Sequence, residues 1–250
     1  MLAEILLFLF AGVVGGATNV AAGGAKLFVF PLLLAAGLTP VQASATGTVA
    51  LWPAQVPGVL VFRDTFRDRV ASLALDAIIA GVGAVLGALA LVVFGAGPLL
   101  TLIPVFLVVS VGAILFGDRI KTWAASRGEA GQSVVAARVL YFVCGMYAGY
   151  FGAGLGFLVL ASVMAFTGAT THAANARKNL ISVGANTAAV VPLALSGQVA
   201  WIAAFAVMAG GLAGGYAGAR VLKHVPDKVL RYLIAAVGTV LTVTFLIREY

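Results

Sequence analysis

Two apolar runs in this chain are each broken near the centre by glycine. The first, residues 11–37, reads AGVVGGATNVAAGGAKLFVFPLLLAAG, with Asn19, Gly23, Gly24 and a single lysine, Lys26, at the break. The second, residues 148–168, reads AGYFGAGLGFLVLASVMAFTG, with Gly152, Gly154 and Gly156 at its break. Gly23 and Gly154 are 131 residues apart, and the same offset relates Gly37 to Gly168, Thr39 to Thr170, Ala43 to Ala174, Gly83 to Gly214 and Gly87 to Gly218. One fixed offset over that span predicts two copies of one unit. Glycine-interrupted apolar segments at matching positions of two halves are the sequence pointer to a transporter's central binding site. The expectation is therefore a membrane transporter whose two broken hairpins face each other.

Composition decides the solvent. The 250 residues are 62% hydrophobic and only 9% charged, where a water-soluble chain carries about a quarter charged residues. Several windows of roughly 20 apolar residues are each long enough to span a bilayer. Barrel strands are short and alternate apolar with polar, whereas these runs are apolar on every face, so the predicted fold is an all-α polytopic membrane bundle. The formal net charge of +7 would suggest nucleic acid in a soluble protein. Here topology accounts for it, because Lys and Arg collect in cytoplasmic loops, and no nucleic-acid partner is expected. The single cysteine, Cys144, allows neither a disulfide framework nor a cysteine metal site within one chain, and no cofactor is implied. The opening MLAEILLFLFAGVVGG mimics a signal peptide but lacks a basic n-region and has a counterpart in the second copy, so it is read as structure.

In chain order, the first repeat is expected over 1–117. It holds a hairpin at 3–37, then crossing helices at 40–62, 70–94 and 99–116. A straight helix over 3–37 would be roughly 50 Å long, too long for a hydrocarbon core of about 30 Å. The break must therefore turn the chain, as a re-entrant hairpin or as two short tilted crossings. Pro40 suits a helix start, while Pro53 and Pro57 are interior and predict a kink. Residues 118–138 form a polar linker. The second repeat spans 139–250, with a hairpin at 139–168 and crossings at 172–195, 199–221 and 229–247.

If each hairpin returns to its starting side, three loops share one face. They carry Arg63, Arg67 and Arg69; Arg119, Lys121, Arg127 and Arg138; and Arg220, Lys223, Lys228 and Arg231, which is eleven of the 15 basic residues. The opposite face has only Arg248. The positive-inside rule then predicts cytoplasmic basic loops, both termini outside, and two inverted copies, the arrangement suited to alternating access around a midplane site.

Lys26 is the leading site candidate, since a lysine at membrane depth is costly and by default functional. Its bland alternative is snorkelling to an interface. Arg177 and Lys178 lie in HAANARKN (172–179), matching the ASATGT of the first copy, and Arg177 is preferred over Lys178 as an anion ligand. Their alternative is an ordinary position at the cytoplasmic edge. Asn19, Ser44, Thr46, Thr48 and Gln55, with Asn175, Asn179 and Asn186 in the second copy, are neutral donors that otherwise only glue helices together. Backbone amides at Gly23, Gly24, Gly154 and Gly156 are approachable because glycine leaves room. Asp76, the one acid inside a predicted crossing, and His172 are the proton-coupling candidates, although an acid placed like Asp76 more often pairs with an interfacial arginine.

With the hairpins, the GLTP and GATT steps after them, ASATGT, and the paired GVGAVLGA and GGLAGGYAG segments in place, the chain resembles the TauE/SafE family of sulfite exporters over nearly its whole length. The resemblance implies export of small sulfur-containing anions, such as sulfite, sulfoacetate or other sulfonates, across a bacterial cytoplasmic membrane. Carried over by position, Gly23, Gly24, Ser44 and Thr46 match the first-half motif, and Gly152, Gly154, Gly156 and Asn175 the second. The chain departs from the family pattern at Lys26, where glycine-rich sequence is usual, and at Arg177, where a small polar residue is usual. Both departures favour an anion. The expected partners are such an anion and membrane lipid, and a homodimer is allowed. A channel, an intramembrane enzyme or a non-transporting scaffold are the competing readings. An enzyme needs a nucleophile with a base, or a metal cluster, and one Cys, two distant His and one membrane-depth Asp supply neither.

Overall fold

The computed structural model describes residues 2–22, 24–61, 70–98, 133–167, 169 and 171–221, with isolated positions between 101 and 126 and at 236. The expected crossings at 99–116 and 229–247 lie largely outside the described residues, as does Gly23. Among those described, every regular element is helical.

Helix α1 runs Leu2–Ala22 and α2 runs Ala25–Ala35, so the first break is as short as the glycines suggest. Helix α3 (Pro40–Leu51) starts where Pro40 predicts. Thr39 closes a capping box, its hydroxyl accepting from Gln42 N while the Gln42 side chain accepts from Thr39 N, which satisfies two otherwise orphan donors. The expected kink is a full interruption. Pro53 opens a 3-10 turn, Pro53–Gln55, before α4 (Val56–Val61), because proline has no N–H to give the α-helical ladder and its ring crowds the preceding turn.

Helix α5 (Val70–Phe94) has the predicted bounds. Helix α6 (Val134–Tyr150) begins five residues before the expected hairpin start of 139. Ser133 supplies the cap, accepting from Ala136 N at 3.2 Å, and VVAAR extends the apolar run backwards. Arg138, expected in the linker, is therefore inside a helix. Helices α7 (Leu155–Thr167), α8 (Thr171–Leu195) and α9 (Trp201–Val221) follow.

The closest helix seams are glycine seams, and each joins the first part of the chain to the second. A Cβ on Gly12 or Gly16 of α1 would strike the Val207 or Gly211 carbonyl of α9; one on Gly210 or Gly214 would strike Leu9 or Val13 of α1. Gly83 and Gly87 of α5 meet Phe142 and Met146 of α6, and Gly145 and Gly149 of α6 meet Ala80 and Ala84 of α5. Small residues that let backbones touch are how helices hold together where lipid removes the hydrophobic drive between them.

The outer faces match that solvent. Leu2, Leu6, Phe10 and Val13 form an exposed stripe on α1, and Ile78, Val82, Leu86, Leu89 and Val93 one on α5. These are three- and four-residue spacings of one helix face. Contiguous apolar stripes of this extent are not left open to water by monomeric soluble proteins. Leu2–Asn19 and Ala71–Phe94 are long and apolar enough to cross a membrane. The described residues form an all-helical bundle with the outer faces of a membrane protein.

Candidate functional site

The two breaks meet inside the bundle. In the second, Phe151 to Gly154 leave helical geometry, with Gly152 at φ +76° and Gly154 at φ +68°. That is left-handed backbone which residues with a Cβ rarely adopt. Phe151 packs edge-on to Phe30 of α2, ring centroids 5.0 Å apart, so the two hairpins share one apolar contact.

Lys26, in the first turn of α2, is 6% exposed. Its Nζ donates to Ser44 Oγ at 3.2 Å and Thr48 Oγ1 at 2.6 Å, both on α3. It also stands 5.7 Å from the Phe151 ring centroid, within cation–π range. Each hydroxyl keeps its own acceptor: Ser44 donates to the Tyr150 carbonyl at 3.1 Å and Thr48 to the Ser44 carbonyl at 3.0 Å. Two of the three ammonium N–H groups are thus held. Among the described residues no carboxylate pairs with Lys26.

Lys26 opens on a cavity of about 540 Å³. Its walls come from both breaks and from α3 and α8. The polar lining is Asn19, Lys26, Thr48 and Gln55 from the first part of the chain, and Lys178, Asn179, Ser182 and Asn186 from α8, with Gly152 and Gly156 at the second break. None of these described lining residues is acidic. The Ser182 hydroxyl is buried and has no hydrogen-bond partner among the described residues.

At the far end from Lys26, Asn186 Nδ2 donates to the Ser182 carbonyl at 3.0 Å and to Gln55 Oε1 at 2.9 Å. The next residue, Thr187, accepts from Trp52 Nε1 at 2.8 Å. The interrupted turn of 52–55 is thereby tied to α8 at two successive positions.

Other predicted site residues sit elsewhere. Arg177 does not line the cavity: its Nη2 and Nε both donate to Asp76 Oδ2, at 2.9 and 3.2 Å. Arg138 Nε donates to Asp76 Oδ1 at 3.2 Å. Asp76 is buried between these arginines, the pairing with arginine that its helix position suggested. Thr46 is buried and accepts from Ala200 N at 3.0 Å, bracing the chain into α9. Gly24 is buried beside Lys26, Gly154 lies in the second break, and Asn175 is half-buried on α8 outside the cavity lining. His172 is in the first turn of α8, with its side chain outside the described set.

Lys178, ranked below Arg177 from sequence, is the α8 cation on the cavity, and Gln55 and Asn186 close its far end. The signal for this was spacing. Residues 175, 179, 182 and 186 form one polar stripe at helical period, flanked by 178 and 183, and 177 falls off it.

The family model for sulfite exporter TauE/SafE matches residues 7–245. The chain is 26% identical over 251 residues to "Probable membrane transporter protein YfcA" of Escherichia coli (strain K12), covering 98% of this chain and 91% of the relative. It is 24% identical over 244 residues to "Probable membrane transporter protein ORF9" of Sinorhizobium sp, at 97% and 93% coverage. A "Probable membrane transporter protein" of Haemophilus influenzae is 23% identical over 240 residues, at 96% and 93% coverage. No solved structure gives a significant match. An all-helical bundle with glycine seams, a cation-bearing cavity at paired chain breaks and a family match over nearly its whole length place this chain in the TauE/SafE family of membrane transporters.

Proposed function

We propose that the protein is a secondary transporter that exports small sulfur-containing anions, sulfite or organic sulfonates, across a bacterial cytoplasmic membrane by alternating access. The observation that carries this reading is Lys26: a buried ammonium held by two hydroxyls, without a carboxylate among the described residues, opening on a cavity that also has Lys178 and no acid in its described lining. A buried charge left uncompensated is costly. The missing countercharge is the ligand's.

In this reading the basic loops are cytoplasmic, both termini lie outside, and the copies 1–117 and 139–250 are inverted, joined by the linker 118–138. Gln55 and Asn186, 131 residues apart and hydrogen-bonded to one another, would sit on the axis relating those copies, at the midplane. The membrane potential supplies the drive, at about 2.3 kcal/mol per charge per 100 mV. Asp76 is held by Arg138 and Arg177, so its role here is to lock α5 to α6 and α8. Because the α1–α9 and α5–α6 seams each join the two copies, the copies do not move as separate bodies. The inner hairpin helices α2 and α7, with α3–α4, move against those seams.

The test is flux from proteoliposomes of the full chain loaded with sulfite or sulfoacetate under an imposed potential. Wild type is expected to release anion faster with the loaded side negative, and Lys26→Met to release none above empty vesicles. Equal flux from Lys26→Met, or no flux of any sulfur anion from wild type, would sink the reading.

A further inference from the structure

The hydrogen bonds at the far end of the cavity fix which way two amides point. A backbone carbonyl only accepts, so the Asn186 atom facing the Ser182 carbonyl at 3.0 Å must be Nδ2. The same Nδ2 lies 2.9 Å from the Gln55 side chain, which must then present Oε1 to it. The donor end of Gln55, its Nε2 pair, is what remains for the cavity that Gln55 lines. The adjacent Trp52–Thr187 bond at 2.8 Å holds the turn carrying Gln55 in place, so this donor is oriented before any ligand arrives.

Its position relative to Lys26 sets what it can reach. Lys26 Nζ is 2.6 Å from Thr48 Oγ1, and Gln55 is seven residues further along, past the end of α3 and across the 3-10 turn, a rise of about 10 Å where the turn continues the helix axis. A compact anion held by Lys26 does not extend that far. The cavity, at about 540 Å³, lies within the range of small-molecule sites, roughly 300–1,000 Å³, and holds much more than one trigonal oxyanion.

We propose that Gln55, oriented by Asn186, is a second anchor that takes the far end of a two-ended anion, one whose charged group is bound at Lys26 and whose other end carries a hydrogen-bond acceptor. This rests on the Lys26 reading and narrows it: the favoured ligand class is an organic anion with an acceptor at both ends, and Gln55 is the residue that discriminates. A site built to donate to a group rejects the analogue lacking it far more strongly than an apolar pocket rejects a missing methylene.

The experiment measures binding to the purified full chain by calorimetry with matched ligands: sulfoacetate, which has a distal carboxylate; propanesulfonate, of similar length without one; and sulfite. Wild type should bind sulfoacetate at least about tenfold more tightly than propanesulfonate, as expected for one charge-assisted hydrogen bond. Gln55→Leu should erase that preference and leave propanesulfonate affinity unchanged. Gln55→Glu, which keeps an acceptor for Asn186 and so keeps the fold, should also lose it. Lys26→Met should lose all three ligands. If Gln55→Leu and Gln55→Glu retain the preference, or weaken both sulfonates equally, the second anchor is refuted while the Lys26 reading stands. If wild type binds none of the three in a Lys26-dependent manner, both fall.

Discussion

Gln55 and Asn186 stand 131 residues apart in the chain and 2.9 Å apart in the fold. The interval is that which separates Gly23 from Gly154 and Gly37 from Gly168. Other pairs at this offset take matching positions. Thr46 and Arg177 both turn away from the cavity, Thr46 to the chain entering α9 and Arg177 to Asp76 on α5. Thr48 and Asn179 both line it. Position along the repeat thus sorts residues into inward and outward roles, and chemistry differs between the copies where one carries charge.

Lys26→Met should leave the fold intact and remove anion binding. Methionine has the length of lysine without the charge. Ser44 and Thr48 keep acceptors in the Tyr150 and Ser44 carbonyls, so no hydroxyl donor is orphaned. Burying an uncompensated charge is costly, so exchanging the ammonium for an apolar side chain is not expected to destabilise the fold. The expected result by thermal shift is an unliganded melting point equal to or above wild type, with no further rise on adding sulfite or sulfoacetate. A variant that melts well below wild type would mean that the ammonium is structural.

Asp76→Asn should be the most damaging of the ionic substitutions. It leaves Arg138 and Arg177 facing each other without a countercharge, and removing one partner of a buried pair costs about 3–5 kcal/mol. The arginines are unequal: the Arg138 side chain is 32% exposed and that of Arg177 is 17%. Arg138→Gln should therefore cost less than Arg177→Gln. Denaturation in detergent of the three single variants and the Asp76→Asn, Arg177→Gln double variant gives the coupling, which should be well above the median of 0–1 kcal/mol for surface pairs. A coupling near zero would show that the bridge is incidental.

Much of this molecule was legible because its physics is local. Glycine breaks, capping at Thr39 and Pro40, and the apolar length of 70–94 are read from neighbouring residues, and the described helices lie where those signals put them. The partner of a charge is not local. Arg177 looked like an anion ligand because the sequence cannot show that Asp76, 101 residues away, reaches it. Lys178 looked weaker for want of a helical-wheel reading that set the stripe 175, 179, 182, 186 ahead of charge type. Helix α6 starts five residues before the expected 139, because Asp76 holds Arg138 within the bundle where the sequence alone suggests a loop.

Gly152→Ala should lower stability through the backbone itself. Its φ of +76° is left-handed, costing an L-residue about 1–2 kcal/mol, and a Cβ there would also come 2.8 Å from the Ala148 carbonyl. The break lines the cavity, so anion binding should weaken in the same variant. Melting point and ligand-induced shift should fall together, and an unchanged ligand shift would separate the second hairpin from the site.

Gly145→Ala should damage the fold while leaving the site chemistry untouched. The added methyl would strike the Ala80 carbonyl across the α5–α6 seam, and the facing backbone has no side chain that could swing away. Overpacking of this kind costs about 1–3 kcal/mol, occasionally more, and here it also pries apart helices whose close approach is their main attraction. Gly97→Ala is the control, because no atom of the described residues lies within 4 Å of its added Cβ. In matched detergent, Gly145→Ala should melt several degrees below wild type and Gly97→Ala should match it. Protein that survives as Gly145→Ala should keep the wild-type preference among anions, since neither Gly145 nor Ala80 lines the cavity. If both variants melt alike, the seam is looser than its backbone contacts imply, and α7 then has no fixed frame to move against.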